Sequence, residues 1–368
     1  MSSKSTTRAP YERHPSLDGI SVLDLFSGAG GLTHGFHAAS NRIYTTRSVE
    51  YEAAAAASFS ATFGDVVFAG PIQDWLEQET VPSSDIVIGG PPCQGFSQLG
   101  KQDPADIRNS LWRPYAEALS RAQPKYFVVE NVPQFAKSQQ LQDFRDATAP
   151  GGLIADYTFA WDILNSADYG APQARKRAIL IGHHRDLPFP GFPQKTHQYA
   201  PVTVKDAFKG ILRDPFETDL PKRFTNFSGK EFLGSFRTTE LHLVRNYAQL
   251  SLDRFAAIPV GGNRFDLPDD LKAPCWLKHS TGSGDVMGRL HWQKPSVTIR
   301  TEFFKPEKGR YIHPFADRAI THFEAARLQG FPDDALWIGS KTAIAKQIGN
   351  AVPVALGKAI AGQLIKSL

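Results

Sequence analysis

Residues 89–97 read GGPPCQGFS, and the Cys93 inside them is one of only two cysteines in the chain. Glycines loosen the backbone and prolines stiffen it, so this stretch is suited to aiming an exposed thiol and not to filling core space. Once ionised, a thiol is a strong nucleophile. A second candidate lies in KYFVVENVP, residues 125–133, where Glu130 and Asn131 follow an apolar run. A carboxylate left unpaired there is unfavourable, so Glu130 is read as an acid that carries a proton into the pocket Cys93 faces. A structural cysteine and a helix-capping glutamate are each plausible singly, and it is the pairing that favours chemistry. Further on, DYGAPQARKRAILIG sets Gln173, Arg175 and Arg177 at alternate positions entering a strand, hence on one face. Two of the three are guanidiniums able to hold a phosphate or a carbonyl oxygen.

A second set of residues suits a nucleoside-bearing ligand. SVLDLF ends in SGAGGLTHGF, a glycine turn opening a helix near Leu32 whose N-terminus can receive ligand acceptors. A dinucleotide fingerprint would place glycine where Thr33 stands. The next apolar run ends at Glu50, about where a carboxylate in such folds accepts ribose hydroxyls. In KQIGNAVP, Asn350 can cap the last helix or meet the cofactor.

These groups need a scaffold. SVLDLF, RIYTTRSVE, DIVIGG, KYFVVENVP and RAILIG alternate with helix-like stretches, which points to βαβ units and a parallel sheet covered on both faces. Residues 183–300 lack that alternation and are rich in Pro, Gly, aromatics and charge, the texture of a second, less regular domain. PVALGKAIAGQLIKS reads as a helix with Pro353 suited to its first turn. The net charge is +4; Arg185–Arg289 holds 15 Lys/Arg against 12 Asp/Glu, a local excess of +3. This suits a polyanion without demanding one. Two distant cysteines make neither a disulfide framework nor a metal-ligand spacing, and they fit a reducing compartment. The polar N-terminus and the lack of a spanning run give the expectation of a soluble, cytoplasmic protein.

In order, DLFSGAGG, Glu50, GGPPCQGFS, RNSL, ENVP, QARKR, EAARLQGFP and QIGNAVP resemble the DNA (cytosine-5)-methyltransferases of the bacterial restriction-modification type. The resemblance covers roughly residues 20–365 apart from about 187–285. It implies an α/β fold, a Rossmann-like mixed sheet binding S-adenosylmethionine, with a smaller, irregular target-recognition domain and DNA in the cleft between. The implied division is 1–187 with 341–368 for the catalytic domain and 188–340 for target recognition and hinge. Phe26, Gly28, Gly30, Glu50, Tyr51, Ile72, Pro91, Leu111, Asn350 and Val352 would line the methyl-donor site, with Glu50 on the ribose. One departure stands out: the family's GDI is here Gly70-Pro71-Ile72, which removes the aspartate near the adenine amino group.

The resemblance implies that Cys93 adds to C6 of a cytosine swung out of duplex DNA. Glu130 neutralises the ring near N3, Arg177 holds the O2 carbonyl, and Arg175 holds a nearby phosphate or the loop. Asn131 belongs to the same catalytic set. No metal is needed. QGFSQLGKQDPADIRNS, with Gly95 and Gly100 as pivots and Ser97 near the target phosphate, resembles the loop that closes behind the base. Base reading is expected from about 190–290, with HSTGSGD at 279–285 able to approach DNA closely. Double-stranded DNA is the expected partner, a restriction endonuclease would act separately, and a monomer is expected. Three rivals stand beside this reading: an RNA cytosine methyltransferase, whose usual CFT motif is not found; a catalytically dead subunit; and a nicotinamide oxidoreductase suggested by the glycine turn alone.

Overall fold

The computed structural model describes residues 19–92, 111–278 and 281–368. Its first half contains β1 (Ile20–Leu25), α1 (Gly31–Ala39), β2 (Ile43–Glu50), α2 (Ala53–Phe63), β3 (Val67–Ala69), α3 (Ile72–Gln78), β4 (Ile86–Gly89), α4 (Trp112–Ala122), β5 (Tyr126–Asn131), α5 (Gln139–Thr148), β6 (Tyr157–Asn165) and β7 (Lys176–His184). Then come α6 (Val204–Ala207), β8 (Phe224–Phe227), β9 (Lys230–Arg237), α7 (Gln249–Ala257), α8 (Pro274–Leu277), α9 (His322–Gln329), β10 (Leu336–Ile338), α10 (Lys341–Asn350) and α11 (Val354–Ile365).

The first seven strands form one sheet in the order β3-β2-β1-β4-β5-β7-β6. β1 to β5 pair in parallel, as the alternation predicts, but β7 runs antiparallel to both β5 and β6. The link 166–175 between β6 and β7 holds only a single 3-10 turn, too short for a crossover helix, so the chain folds back in the plane of the sheet. Alternate residues of the central strands feed opposite faces. Leu23, Leu25, Val87, Phe127 and Val129 pack under α3, α4 and α5 through Trp75, Tyr115, Leu119 and Phe144. Val22, Ile86, Ile88, Val128 and Ile181 meet α1 and α11 through Leu32, Phe36, Leu356 and Ile360. At roughly 2 kcal/mol for each fully buried large apolar side chain, these two layers fix the strand ends where the polar residues sit.

The later segments build a second core around Phe236, Phe303, Tyr311, Trp337, Ile344 and Ile348, beside a three-stranded antiparallel sheet in the order β10-β9-β8. Much of this region has no regular ladder, and buried arginines gather its backbone carbonyls instead. Arg289 donates to the oxygens of Ile258, His313 and Ala316, and Arg310 to those of Gly261, Gly262 and Gly284. α10 faces this second core and α11 the first. Lys341–Ile365 is apolar and long enough to cross a membrane by composition (mean hydropathy 1.3), but it breaks at Pro353 into those two helices, and most of it is buried in the protein.

Candidate active site

The pairing of β4 with β5, Gly89 opposite Val129, brings Gly90–Pro92 beside Glu130 and Asn131, some forty residues away in sequence. Asn131 Nδ2 donates to the Pro91 carbonyl at 3.0 Å, and the Val132 N–H donates to Asn131 Oδ1 at 2.8 Å. The buried amide therefore fastens the proline turn that leads into Cys93. Gly90 eases the same approach: a Cβ there would stand 3.0 Å from Glu130 Oε2, a tight contact that the carboxylate could relieve only by shifting a few tenths of an ångström. Glu130 is not left alone after its apolar run. Its Oε1 meets Arg177 Nε at 2.7 Å, with the two side chains only 12% and 13% exposed. The antiparallel register of β5 with β7, Asn131 opposite Ala178, is what delivers Arg177 to that position. Cys93 and Ser97, with Gly95, Gly100 and Arg108–Ser110 of RNSL, lie outside the described residues, as do residues 279 and 280 of HSTGSGD.

The other members of QARKR point elsewhere. Gln173 is fully buried; its Nε2 donates to Gln329 Oε1 at 2.8 Å, and its Oε1 accepts from the Ile299 N–H at 2.8 Å. Arg175 is 3% exposed and donates through Nη1 to the Ile299 carbonyl at 2.8 Å, with Nη2 3.5 Å from the Asn350 carbonyl. Burial drives its pKa down, with the Arg177 charge adding to the shift. The contact expected of Arg175 with a phosphate or with the loop is thus not the one its guanidinium makes here, because the segment 296–301 covers it. That segment bridges to β7's approach at Gln173–Ser296. Gln329, within EAARLQGFP, is the other half of this joint and carries no signal in sequence beyond being a polar residue in a buried helix.

The residues expected around a methyl donor cluster at the carboxyl ends of β1, β2 and β3. Phe26 and Gly28 take positive φ values of 59° and 57°, and Gly30, at 83°, starts α1. The Gly28 N–H donates to Glu50 Oε2 at 2.7 Å, and the Glu52 N–H to Oε1 at 2.6 Å. Burial pushes the Glu50 carboxyl up, opposed by these two N–H groups. Tyr51 stands 68% exposed beside it, while Ile72 is buried at the first turn of α3 and Phe26 and Leu111 pack on the same core. Gly31 lets α1 approach the last loop: a Cβ there would be 2.7 Å from the Val352 carbonyl, which places Asn350–Val352 at the same helix N-terminus. Pro71 caps α3 and offers no carboxylate; the only acid in that first turn, Asp74, faces solvent. Sequence reasoning missed Asp24. It is 1% exposed in β1, hydrogen-bonded by the Thr33 hydroxyl, and burial lifts its pKa to about 7. Thr33, where a dinucleotide fold has glycine, is there for this acid.

A family model described as C-5 cytosine-specific DNA methylase matches residues 20–366. Type II methyltransferase M1.HphI of Haemophilus parahaemolyticus is 32% identical, covering 94% of this chain and 87% of its own, and Type II methyltransferase M.XorII of Xanthomonas oryzae pv. oryzae is 33% identical, covering 94% and 84%. A solved structure from a prophage of E. coli, assigned as a DNA modification methyltransferase, superposes with a TM-score of 0.71 at 25% identity over 95% of this chain and 99% of that one. S. pombe Dnmt2 methyltransferase, at 15% identity and a TM-score of 0.55 over 94% and 98%, shares the fold. With its strand ends, glycine turn and paired acid all inside the matched span, this chain belongs to the C-5 cytosine-specific DNA methylases and is a DNA (cytosine-5)-methyltransferase.

Proposed function

We propose that the chain methylates a cytosine extruded from duplex DNA, using S-adenosylmethionine and a transient bond between Cys93 and C6, as the modification enzyme of a restriction-modification system. The observation that carries this is the Glu130–Arg177 pair at 2.7 Å, set against Gly90 and the Pro91 turn, three residues before the thiol. Sulfur adds to C6 and the ring electrons move toward N3, where Glu130 shares a proton. Arg177, fixed on the other carboxylate oxygen, both orients Glu130 and offers its remaining N–H groups to O2. Once C5 carries the methyl group that a bound donor would supply, loss of the C5 proton expels the Cys93 thiolate and restores the ring as 5-methylcytosine.

The donor-side residues fit S-adenosylmethionine. A Cβ on Gly28 would meet nothing within 4 Å, so the turn is open there, and both Glu50 oxygens are oriented by backbone N–H groups with lone pairs left for ribose hydroxyls. Phe26, Gly30, Tyr51, Ile72, Pro91, Leu111, Asn350 and Val352 would complete that site; when bound, the sulfonium supplies the methyl group. With Pro71 in place of aspartate, adenine would be held by apolar contact and backbone. The catalytic domain is taken as 1–187 with 341–368, and 188–340 as target recognition and hinge. The enzyme would act as a cytoplasmic monomer, its endonuclease partner separate.

The test is expression of the wild type and Cys93→Ala in a host lacking 5-methylcytosine, followed by bisulfite sequencing of host and plasmid DNA. Protected cytosines in one short motif, absent from the variant, support the reading. Protection that survives Cys93→Ala sinks the covalent mechanism.

A further inference from the structure

Seven arginines lie between residues 254 and 327, and six are consumed inside the protein. Arg254 donates to the Leu271 carbonyl, Arg264 to Thr281, Arg289 to Ile258 and Arg310 to Gly261, while Arg318 pairs with Glu324 and Arg327 with Asp333. Arg300 differs: its side chain is exposed and its guanidinium has no hydrogen-bond or ion-pair partner among the described residues. Its backbone, by contrast, is fixed on every side. Gln173 and Arg175 hold the N–H and carbonyl of Ile299, the Phe303 N–H donates to the Arg300 carbonyl, and a Cβ on Gly349 would collide with the backbone of Arg300 and Thr301. Arg300 is therefore an exposed cation, unpaired among the described residues, on a fixed backbone, one residue from the carbonyl that Arg175 clamps and over the joint next to Asn350. Of the six Lys/Arg in residues 289–310, Arg289 pairs with Asp317, Arg310 with Asp285, and Lys305 and Lys308 share Glu302, which leaves Lys294 and Arg300 outside any ion pair among the described residues.

We propose that Arg300 is a DNA-anchoring residue that binds a backbone phosphate of the duplex beside the site of the Glu130–Arg177 pair. This rests on the duplex-DNA reading above. An unpaired guanidinium on fixed backbone can grip a phosphate bidentately with little ordering left to do. Because the anchor would be made on the DNA side, it should act on DNA affinity more than on the chemical step.

The full-length wild type, Arg300→Gln and Arg300→Lys would be compared on plasmid DNA with labelled methyl donor. KM for DNA and kcat would be measured at several salt concentrations, with S-adenosylhomocysteine affinity by calorimetry and thermal midpoints alongside. Expected for Arg300→Gln is a roughly tenfold rise in KM at near-physiological salt and a slope of log affinity against log salt shallower by about one, with kcat, product affinity and midpoint near wild type. Arg300→Lys should recover most of the affinity. Unchanged KM and slope in Arg300→Gln, beside an active wild type, overturn the inference alone. So does a loss of product affinity or thermal midpoint that accounts for the whole effect, as does a changed methylation motif at unchanged slope, which would mark a base-reading residue. A wild type that transfers methyl groups only to single-stranded nucleic acid would overturn the duplex reading and the anchor with it.

Discussion

Asn131→Ala tests whether the turn leading to Cys93 is positioned by an amide on the next strand. The side chain is buried, and the substitution removes two hydrogen bonds, Nδ2 to the Pro91 carbonyl at 3.0 Å and the Val132 N–H to Oδ1 at 2.8 Å. At about 1 kcal/mol each, the stability loss is about 2 kcal/mol. An unfolding entropy of about 2.1 cal/mol/K per residue over 368 residues is roughly 0.8 kcal/mol/K, so the thermal midpoint should fall by about 3 °C. A stability loss of that size leaves the protein folded at 25 °C and does not by itself slow turnover. A displaced turn does: a shift approaching 1 Å at the reacting atom costs about a hundredfold, so a loss of tenfold to a hundredfold in kcat is expected, with DNA affinity close to wild type. Asn131→Asp keeps the acceptor for Val132 but sets a carboxylate oxygen against the Pro91 carbonyl, and should be at least as slow. The assay is single-turnover methyl transfer beside calorimetric melting. A variant that melts about 3 °C lower yet turns over at the wild-type rate would refute the positioning argument.

Glu130→Gln should lower the methyl-transfer rate by about a hundredfold or more while DNA binding persists, since proton sharing at the ring is lost and the arginine contact is only weakened; a rate within a few-fold of wild type in single-turnover assay would contradict it. Thr33→Val leaves the buried Asp24 carboxyl without its hydroxyl partner and should destabilise by about 1–3 kcal/mol, read from the urea midpoint. His322 is buried against the Lys341 carbonyl and burial lowers its pKa to about 4. The unfolded chain therefore binds the extra proton first, so the stability contributed by His322 is complete above about pH 6.5 and declines as pH falls toward 4, by up to about 3 kcal/mol. In urea titrations, His322→Gln should lose that part of the acid slope; an identical slope in both proteins would show that the imidazole does not titrate this way. Asp24, raised to about 7, tilts stability the opposite way between about pH 4 and 7, which is why the comparison is a difference between variant and wild type.

The family and the parallel strand-and-helix alternation of the first half were legible in sequence because each leaves a local mark. An apolar run ending in a carboxylate marks the strands that carry Glu50 and Glu130, and glycines mark the turn before α1. What tertiary structure alone decided is who meets whom. Nothing local says that β7 turns back antiparallel and so hands Arg177 to Glu130, or that Glu130 Oε2 comes within 3.0 Å of where a Cβ on Gly90 would stand. Alternation grouped Gln173, Arg175 and Arg177 on one face, yet the segment 296–301 covers the first two and leaves the third in the site, a division set by residues more than a hundred positions away. The same segment leaves Arg300 without an ion pair or hydrogen bond from its guanidinium among the described residues, while similar arginines around it are spent on carbonyls. Periodicity encodes which face of an element is apolar; partner, register and coverage depend on packing between distant segments, where the free energies of burial and pairing are settled.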